Sequence, residues 1–523
     1  MTVKRSVAFM AAATILSRIL GFIRIIVVAS VLGTTALGNT FQSTNSISNV
    51  LFDLLAAGAL SAAIVPQLVH AMARKEEEFK QLISSLVSVV LVILGSISLI
   101  GIIFATQISE LMFSRAPIST KEDQIQTGAI LLRFFMPQVL LYGLGALAVA
   151  ALIAKKKFIA QVVAPIGSSI FIMVAIVLFG IFNDGGGLDL EFRDTLILGL
   201  AGTGACLAFV SIPIFVAVRN GIRFLPSSKF REGVSALYSS VWAIAIQASA
   251  AILLAMSIIV GNQVEGAVVA YQLAFVFFLA PYAIISQSFS TVLLPDLSLS
   301  ALKEGKVEFK RIVSKMMVWT YRPMIIATAV CIALYEPLTE MVARGKAASG
   351  QGLIELTFVT LVIGIVPYSV FQALSRVYFA KSNTRFPAVS VLISSIVFAI
   401  SGIIASIFFD GLAIAAIMGL AHTLTYVFAG IVLSIGLRKE QYDVLPDKKT
   451  YLLLAGSAAY AGLGIWLEKL IDVESRVSAF LFSSAFLGST LILIAIFAPK
   501  SMKVRTTSII KEVFERKKVK ADG

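Results

Sequence analysis

Apolar stretches of about twenty residues or more follow one another along almost the whole chain, with short polar loops between them. In hydrocarbon every backbone N–H and C=O needs an internal partner, so stretches of this length cross a bilayer as α-helices. Fourteen spans are placed, at 6–33, 40–70, 82–107, 125–154, 160–182, 195–218, 234–260, 265–298, 312–335, 352–380, 387–409, 411–437, 450–469 and 476–498. The second and eighth exceed what a bilayer requires and are expected to tilt or kink. Hydrophobic residues at 58% against 14% charged, with a mean hydropathy of +0.94, exclude a soluble globular chain. The expected fold class is an all-α polytopic membrane protein. Residues 1–20 carry a Lys4-Arg5 start like that of a signal peptide. Arg18 and Arg24 interrupt the apolar run, however, and no clean cleavage site follows, so a retained first span is expected.

Charge sets the orientation. One set of loops holds Arg74, Lys75 and Lys80; Lys155, Lys156 and Lys157; Arg219, Arg223, Lys229 and Arg231; Lys303, Lys306, Lys310 and Arg311; Lys381 and Arg385; and Arg438, Lys439, Lys448 and Lys449. The opposite loops hold only Arg115, Lys121, Arg193, Arg344, Lys346, Lys469 and Arg476. The rich side is expected to be cytoplasmic, with both termini on it. The net charge of +14 then reflects topology and attraction to anionic membrane lipids, and no nucleic-acid partner is expected.

A short repeat organises the chain. Leu60-Ser61-Ala62-Ala63-Ile64-Val65-Pro66-Gln67-Leu68 ends the second span, and Phe289-Ser290-Thr291-Val292-Leu293-Leu294-Pro295-Asp296-Leu297 ends the eighth, both ahead of a basic loop. An even offset of six spans implies parallel repeats about an axis along the membrane normal. The expected architecture is two pseudo-symmetric six-helix lobes around a central cleft, an N-lobe over 1–225 and a C-lobe over 226–440. Two further helices occupy 441–499, and a basic cytoplasmic tail occupies 500–523. The repeat gives no position for helices 13 and 14.

The first span is where chemistry concentrates. Arg18, Gly21 and Arg24 follow at three-residue spacing and occupy roughly 120° of one helix face. An arginine deep in a bilayer normally faces a wet cavity or a partner, so two cations with a small residue between them describe a cavity wall that expects an anion. Asp53 in the second span is the candidate counter-ion. Arg133, Arg322 and Arg376 are weaker candidates at membrane depth, and Asn49 joins them. Asn39, Ser43, Asn45, Ser46 and Asn49 make the second span unusually polar; they line water or bond neighbouring helices, and lining is favoured because the first span beside them carries the arginines. His422 is read as a hydrogen-bonded packing residue. Cys206 and Cys331 lie in apolar spans, so neither a disulfide framework nor a metal-ligand spacing exists. No catalytic residue, metal ligand or cofactor is expected.

Ser17-Arg18-Ile19-Leu20-Gly21-Phe22-Ile23-Arg24 resembles the S-R-x-L-G-F-x-R opening of the MurJ (MviN) family, bacterial lipid II flippases of the MOP exporter superfamily. Gly58-Ala59-Leu60-Ser61 through Val65-Pro66, Leu132-Arg133 with Pro137-Gln138, and Leu294-Pro295-Asp296-Leu297-Ser298 also fit. So does Arg376-Val377-Tyr378-Phe379-Ala380 through Asn383-Thr384-Arg385-Phe386-Pro387. The resemblance implies alternating-access transport of an undecaprenyl-diphosphate-linked peptidoglycan precursor across the bacterial cytoplasmic membrane, in service of the cell-wall synthesis machinery. It implies Arg18 and Arg24 as the diphosphate ligands. This chain departs from the family where many relatives carry an acid at Ile25, Asp at Asn39, or arginine at Phe52 and in the eighth span. Carboxylates used by some relatives for sodium on the seventh and eleventh spans are also missing. The alternatives are a sister flippase for another polyprenyl-diphosphate oligosaccharide, a multidrug exporter, a membrane enzyme and a scaffold. The central arginines disfavour an exporter of cationic drugs, and Asp184, Asp189, Glu191 and Asp194 look like parts of a connector.

Overall fold

The computed structural model describes residues 3–52, 64–183, 187–238, 241–302, 306–471 and 476–497, and among them it is helical throughout with no strand. Among the described residues twelve helical segments are long and apolar enough to cross a membrane, from Ala13–Leu32 to Lys448–Ile471, and Val477–Thr490 is a shorter apolar helix. Of the fourteen spans expected, the second runs through residues outside those described, and the fourteenth is the shorter apolar helix. Nine of the seventeen residues of Ala36–Phe52, the first described part of the second span, are Asn, Gln, Ser or Thr.

The packing order of the helices recurs at an offset of six spans. The first span lies against the fifth, the fifth against the sixth, and the sixth against the fourth; the seventh lies against the eleventh, the eleventh against the twelfth, and the twelfth against the tenth. Interruptions recur too. The third span breaks at Phe104 before the short helix Ala105–Met112, and the ninth breaks at Leu334 before Tyr335–Val342. The fourth breaks between Phe135 and Pro137, where proline removes a backbone donor; the tenth breaks between Val362 and Ile365. The eighth span changes to a wider helical turn over Tyr282–Ser286, directly after Pro281, in keeping with its excess length.

The turns at the basic end repeat in atomic detail. After the fourth span, Lys156 adopts φ 58° and Lys157 N donates to Leu152 O; after the tenth, Ser382 adopts φ 59° and Asn383 N donates to Tyr378 O. The same six-to-one closure ends the sixth span, from Ile222 N to Ala217 O, and the twelfth, from Tyr442 N to Leu437 O. Each pair of turns is then tied together. Lys155 and Lys157 donate to Asn220, and Lys381 pairs with Glu440.

The apolar cores divide in the same way. Two clusters, around Phe79, Leu147 and Ala217 and around Phe41, Phe135 and Phe179, belong to the first six spans. Two others, around Phe371, Val391 and Leu433 and around Phe278, Phe358 and Met418, belong to the next six. The thirteenth and fourteenth spans lie outside this pairing, on the ninth span and its short extension. Ala333, Leu334, Ala461 and Phe486 form their contact core, and the Tyr460 hydroxyl links the two helices through Ser489 and Thr490.

Candidate functional site

The first span has two distinct faces. Ile15, Leu16, Ile19 and Ile23 are exposed and cover roughly 100° of azimuth. Val28, Ala29 and Leu32 are buried on the opposite side, where Arg18 and Gly21 share their azimuth and Arg24 lies about 40° beyond it. The arginine stripe thus faces inward, away from the apolar lipid-facing stripe. Inward does not mean packed. Arg18 is exposed, and a Cβ added at Gly21 would meet nothing within 4 Å. Arg24 is half-buried, with Tyr142 of the fourth span within electrostatic range. Neither arginine has an ion-pair or hydrogen-bond partner among the described residues. Asp53, the expected counter-ion, lies outside the described residues.

The two halves meet in a seam at the end of the bundle opposite the basic loops. Asn39 Nδ2 donates to Val264 O at 2.8 Å while its Oδ1 accepts from Val268 N at 3.2 Å. Ser43 Oγ donates to Asn262 Oδ1 at 3.1 Å, and Asn262 Nδ2 donates to Met112 O. Gln272 Nε2 donates to Ser46 Oγ at 2.6 Å. In the loops beyond, Thr34 Oγ1 lies 3.3 Å from Ser349 Oγ, and Arg115 reaches Ile403 O and Ser406 Oγ. An apolar layer of Ala29, Val269, Ala270, Ala347 and Ala415 backs these bonds, and Phe22 meets Phe277 edge-on at 5.4 Å. Deeper in the membrane, Gly21 and Arg18 stand in open space.

This geometry corrects one expectation. Asn39, Ser43 and Ser46 do not line water; they are buried and bond to the second half. Burying a polar side chain without a partner costs about 1–3 kcal/mol, so polar groups on a spanning helix end in water or on another helix, and here they found a helix.

A family model described as "Lipid II flippase MurJ" matches residues 28–486 of the chain. The chain belongs to the MurJ lipid II flippase family. Among relatives named "Probable lipid II flippase MurJ", that of Rickettsia prowazekii is 23% identical, over 76% of this chain and 77% of its own. That of Treponema pallidum is 24% identical over 91% and 88%. The fold matches a solved structure titled "Lipid II flippase MurJ, inward closed conformation" with a TM-score of 0.74, at 19% identity, over 94% of this chain and 98% of that one. It also matches an inward-facing multidrug resistance MATE family transporter of the MOP superfamily, with a TM-score of 0.65 at 11% identity, over 81% and 94%.

The remaining candidate residues of this MurJ family member bond to partners outside the first span. Arg133 is exposed and donates to Thr106 Oγ1 at 3.2 Å. It stands nine residues before Tyr142, which puts the two on roughly opposite sides of the fourth span. Arg322 pairs with Asp447 Oδ2 at 2.8 Å and donates to Thr450 Oγ1, so it ties the ninth span to the start of the thirteenth. Arg376 donates to Gln287 O on the eighth span, which with the start of the tenth span meets the first span. Asn49 Nδ2 bonds its own helix at Asn45 O. His422 is buried with Nδ1 3.2 Å from the Tyr271 hydroxyl, amid Phe275, Phe278 and Tyr426, as expected of a packing residue. Sequence reading passed over Asn262, Gln272 and Arg115. Their one signal was polarity near the end of an apolar run, which does not reveal a partner.

Proposed function

We propose that this protein translocates lipid II, the lipid-linked peptidoglycan precursor, from the inner to the outer leaflet of the bacterial cytoplasmic membrane by alternating access. Membership of the MurJ family supports the substrate. The observation that carries the reading is the pair of arginines, unpartnered among the described residues, that flank open space at Gly21. A diphosphate cannot enter hydrocarbon unaided, whereas a guanidinium is permanently charged and bonds phosphate oxygens bidentately. Arg18 and Arg24 are the diphosphate ligands in this reading, and the lipid tail stays in the bilayer. The lobes over 1–225 and 226–440 rock about the cleft, with both termini and the basic loops cytoplasmic. On that topology the bonded seam closes the outer side, and the arginines await substrate from within. The membrane potential, worth about 2.3 kcal/mol per charge per 100 mV, drives an anionic substrate outward. Handover to the cell-wall synthesis machinery follows at the outer leaflet.

The test is exposure of lipid II on the outer leaflet of cells depleted of their own flippase, read by an impermeant enzyme that cuts external lipid II. Expression of this chain restores cleavage, and Arg18→Ala and Arg24→Ala abolish it at normal membrane levels. Full restoration by both variants would sink the arginine assignment. Failure of the well-inserted wild-type chain would move the substrate to another polyprenyl-diphosphate glycolipid.

A further inference from the structure

A second polar site lies on the outer flank of the N-terminal half, away from the arginine stripe. Between the short helix Ala105–Met112 and the helix Lys121–Phe135 runs a cleft of about 330 Å³, whose polar lining is Thr106, Glu110, Glu122, Gln126 and Arg133. It holds one cation and two carboxylates, yet no ion pair within 4 Å joins Arg133 to Glu110 or Glu122. Other nearby cations are committed elsewhere: Lys121 donates to Ser114 O, and Arg115 crosses to Ile403 O and Ser406 Oγ. Opposite charges that share a cleft without closing on each other leave room for a dipolar guest.

The order of the charges gives the guest its orientation. Ala105–Met112 runs toward the loop on the charge-poor side, so Glu110 lies just over one helical turn, about 6 Å, beyond the Thr106 that anchors Arg133. Glu122 begins its helix at that same surface, whereas Arg133 lies near the helix's inner end. The cation is therefore deep and the carboxylates are shallow. Ile103 and Phe104 at the break, Leu111 on the short helix and Ile130 on the other helix are exposed apolar side chains, suited to acyl chains. A phospholipid in the leaflet on this side carries its phosphate at the acyl boundary and its ammonium farther out, which is the same order.

We infer that this cleft is a lateral binding site for a zwitterionic phospholipid with a primary-amine headgroup. Arg133 takes the phosphodiester and Glu110, about one turn farther out, takes the ammonium, while Glu122, about 16 Å along the helix from Arg133, adds negative charge at the mouth of the cleft. An anionic phospholipid supplies the phosphate but offers the carboxylates nothing and meets their repulsion. The site is independent of the transported substrate.

The full chain is reconstituted in vesicles of equal parts phosphatidylethanolamine and phosphatidylglycerol, and retained lipids are counted by native mass spectrometry. The wild type retains one phosphatidylethanolamine, favoured about tenfold over phosphatidylglycerol, the ratio expected of a charge-assisted contact. The double change Glu110→Gln with Glu122→Gln brings the two lipids to equal retention. Arg133→Ala loses the retained lipid, and Arg133→Lys keeps it. Equal retention of both lipids by the wild type, a preference for phosphatidylglycerol, or undiminished retention by Arg133→Ala would each overturn the site. Should Arg133→Ala fail to fold, the double glutamine variant decides the matter, since both glutamates are exposed.

Discussion

Ser43 Oγ donates to Asn262 Oδ1 at 3.1 Å with both side chains fully buried, and the two residues belong to opposite halves of the molecule. Such a bond exists only while the halves are closed at this end. In the proposed alternating-access cycle this bond and those of Asn39 act as a latch, whose strength sets how often the cleft changes sides.

Asn39→Ala removes a donor to Val264 O and an acceptor for Val268 N in one change. Leaving those backbone groups unpaired costs about 1–3 kcal/mol, a shift of roughly tenfold or more toward the state open on the seam side. Asn39→Asp keeps the acceptor at the start of the eighth span's helix, where a negative charge is favoured, and shifts the balance less. Cysteines at Thr34 and Ser349, whose hydroxyls are 3.3 Å apart, read the closed state by cross-linking. Equal cross-linking in all three backgrounds would show that Asn39 is not part of the latch.

Gly21→Leu separates folding from function. A Cβ added at Gly21 meets nothing within 4 Å, and replacing a mid-helix glycine favours the helix by up to about 1 kcal/mol. The variant is expected to insert and resist heat as well as the wild type or better. It should nonetheless lose lipid II exposure, because the leucine fills the space between Arg18 and Arg24. Normal transport would mean that this face does not see substrate.

Asp447 makes the attachment of the thirteenth span sensitive to acid. The Thr450 hydroxyl holds its carboxyl below the usual aspartate range, partial burial opposes this, and the Thr450 N–H and Arg322 add to the lowering. A depressed carboxylate contributes stability that is full above its unfolded value and is lost as pH falls through the folded one. The link to Arg322 therefore holds at neutral pH and fails only in acid below the ordinary aspartate range. Hydrogen exchange across 448–460 should rise there, and Asp447→Asn should reproduce the rise at neutral pH. Protection that ignores both would refute the link.

Lys156 and Ser382 occupy left-handed backbone positions at φ 58° and 59° in equivalent turns. Glycine adopts that conformation without the Cβ clash, so Lys156→Gly and Ser382→Gly are each expected to stabilise by up to about 1 kcal/mol. The same sign at both sites, read as the unfolding midpoint in mild detergent, would follow from the repeat. Destabilisation at either would show that the side chain outweighs the strain.

The sequence by itself determined the spans, the charge asymmetry of the loops, the six-span repeat and the arginine face of the first helix. Each depends on near-neighbour periodicity or on the cost of placing a charge in hydrocarbon, which is set by the residue and its depth whatever it later touches. The tertiary structure alone decided what the polar residues of the second span bond. Asn39 carries an amide that must be satisfied, but its partner Val264 lies 225 residues away and offers only a backbone carbonyl, which any residue has. It also placed the last two helices, through Arg322 and Asp447, and turned Arg133 onto a face of its own. A helix fixes which residues share a side; which side meets lipid, water or the other lobe is settled by packing.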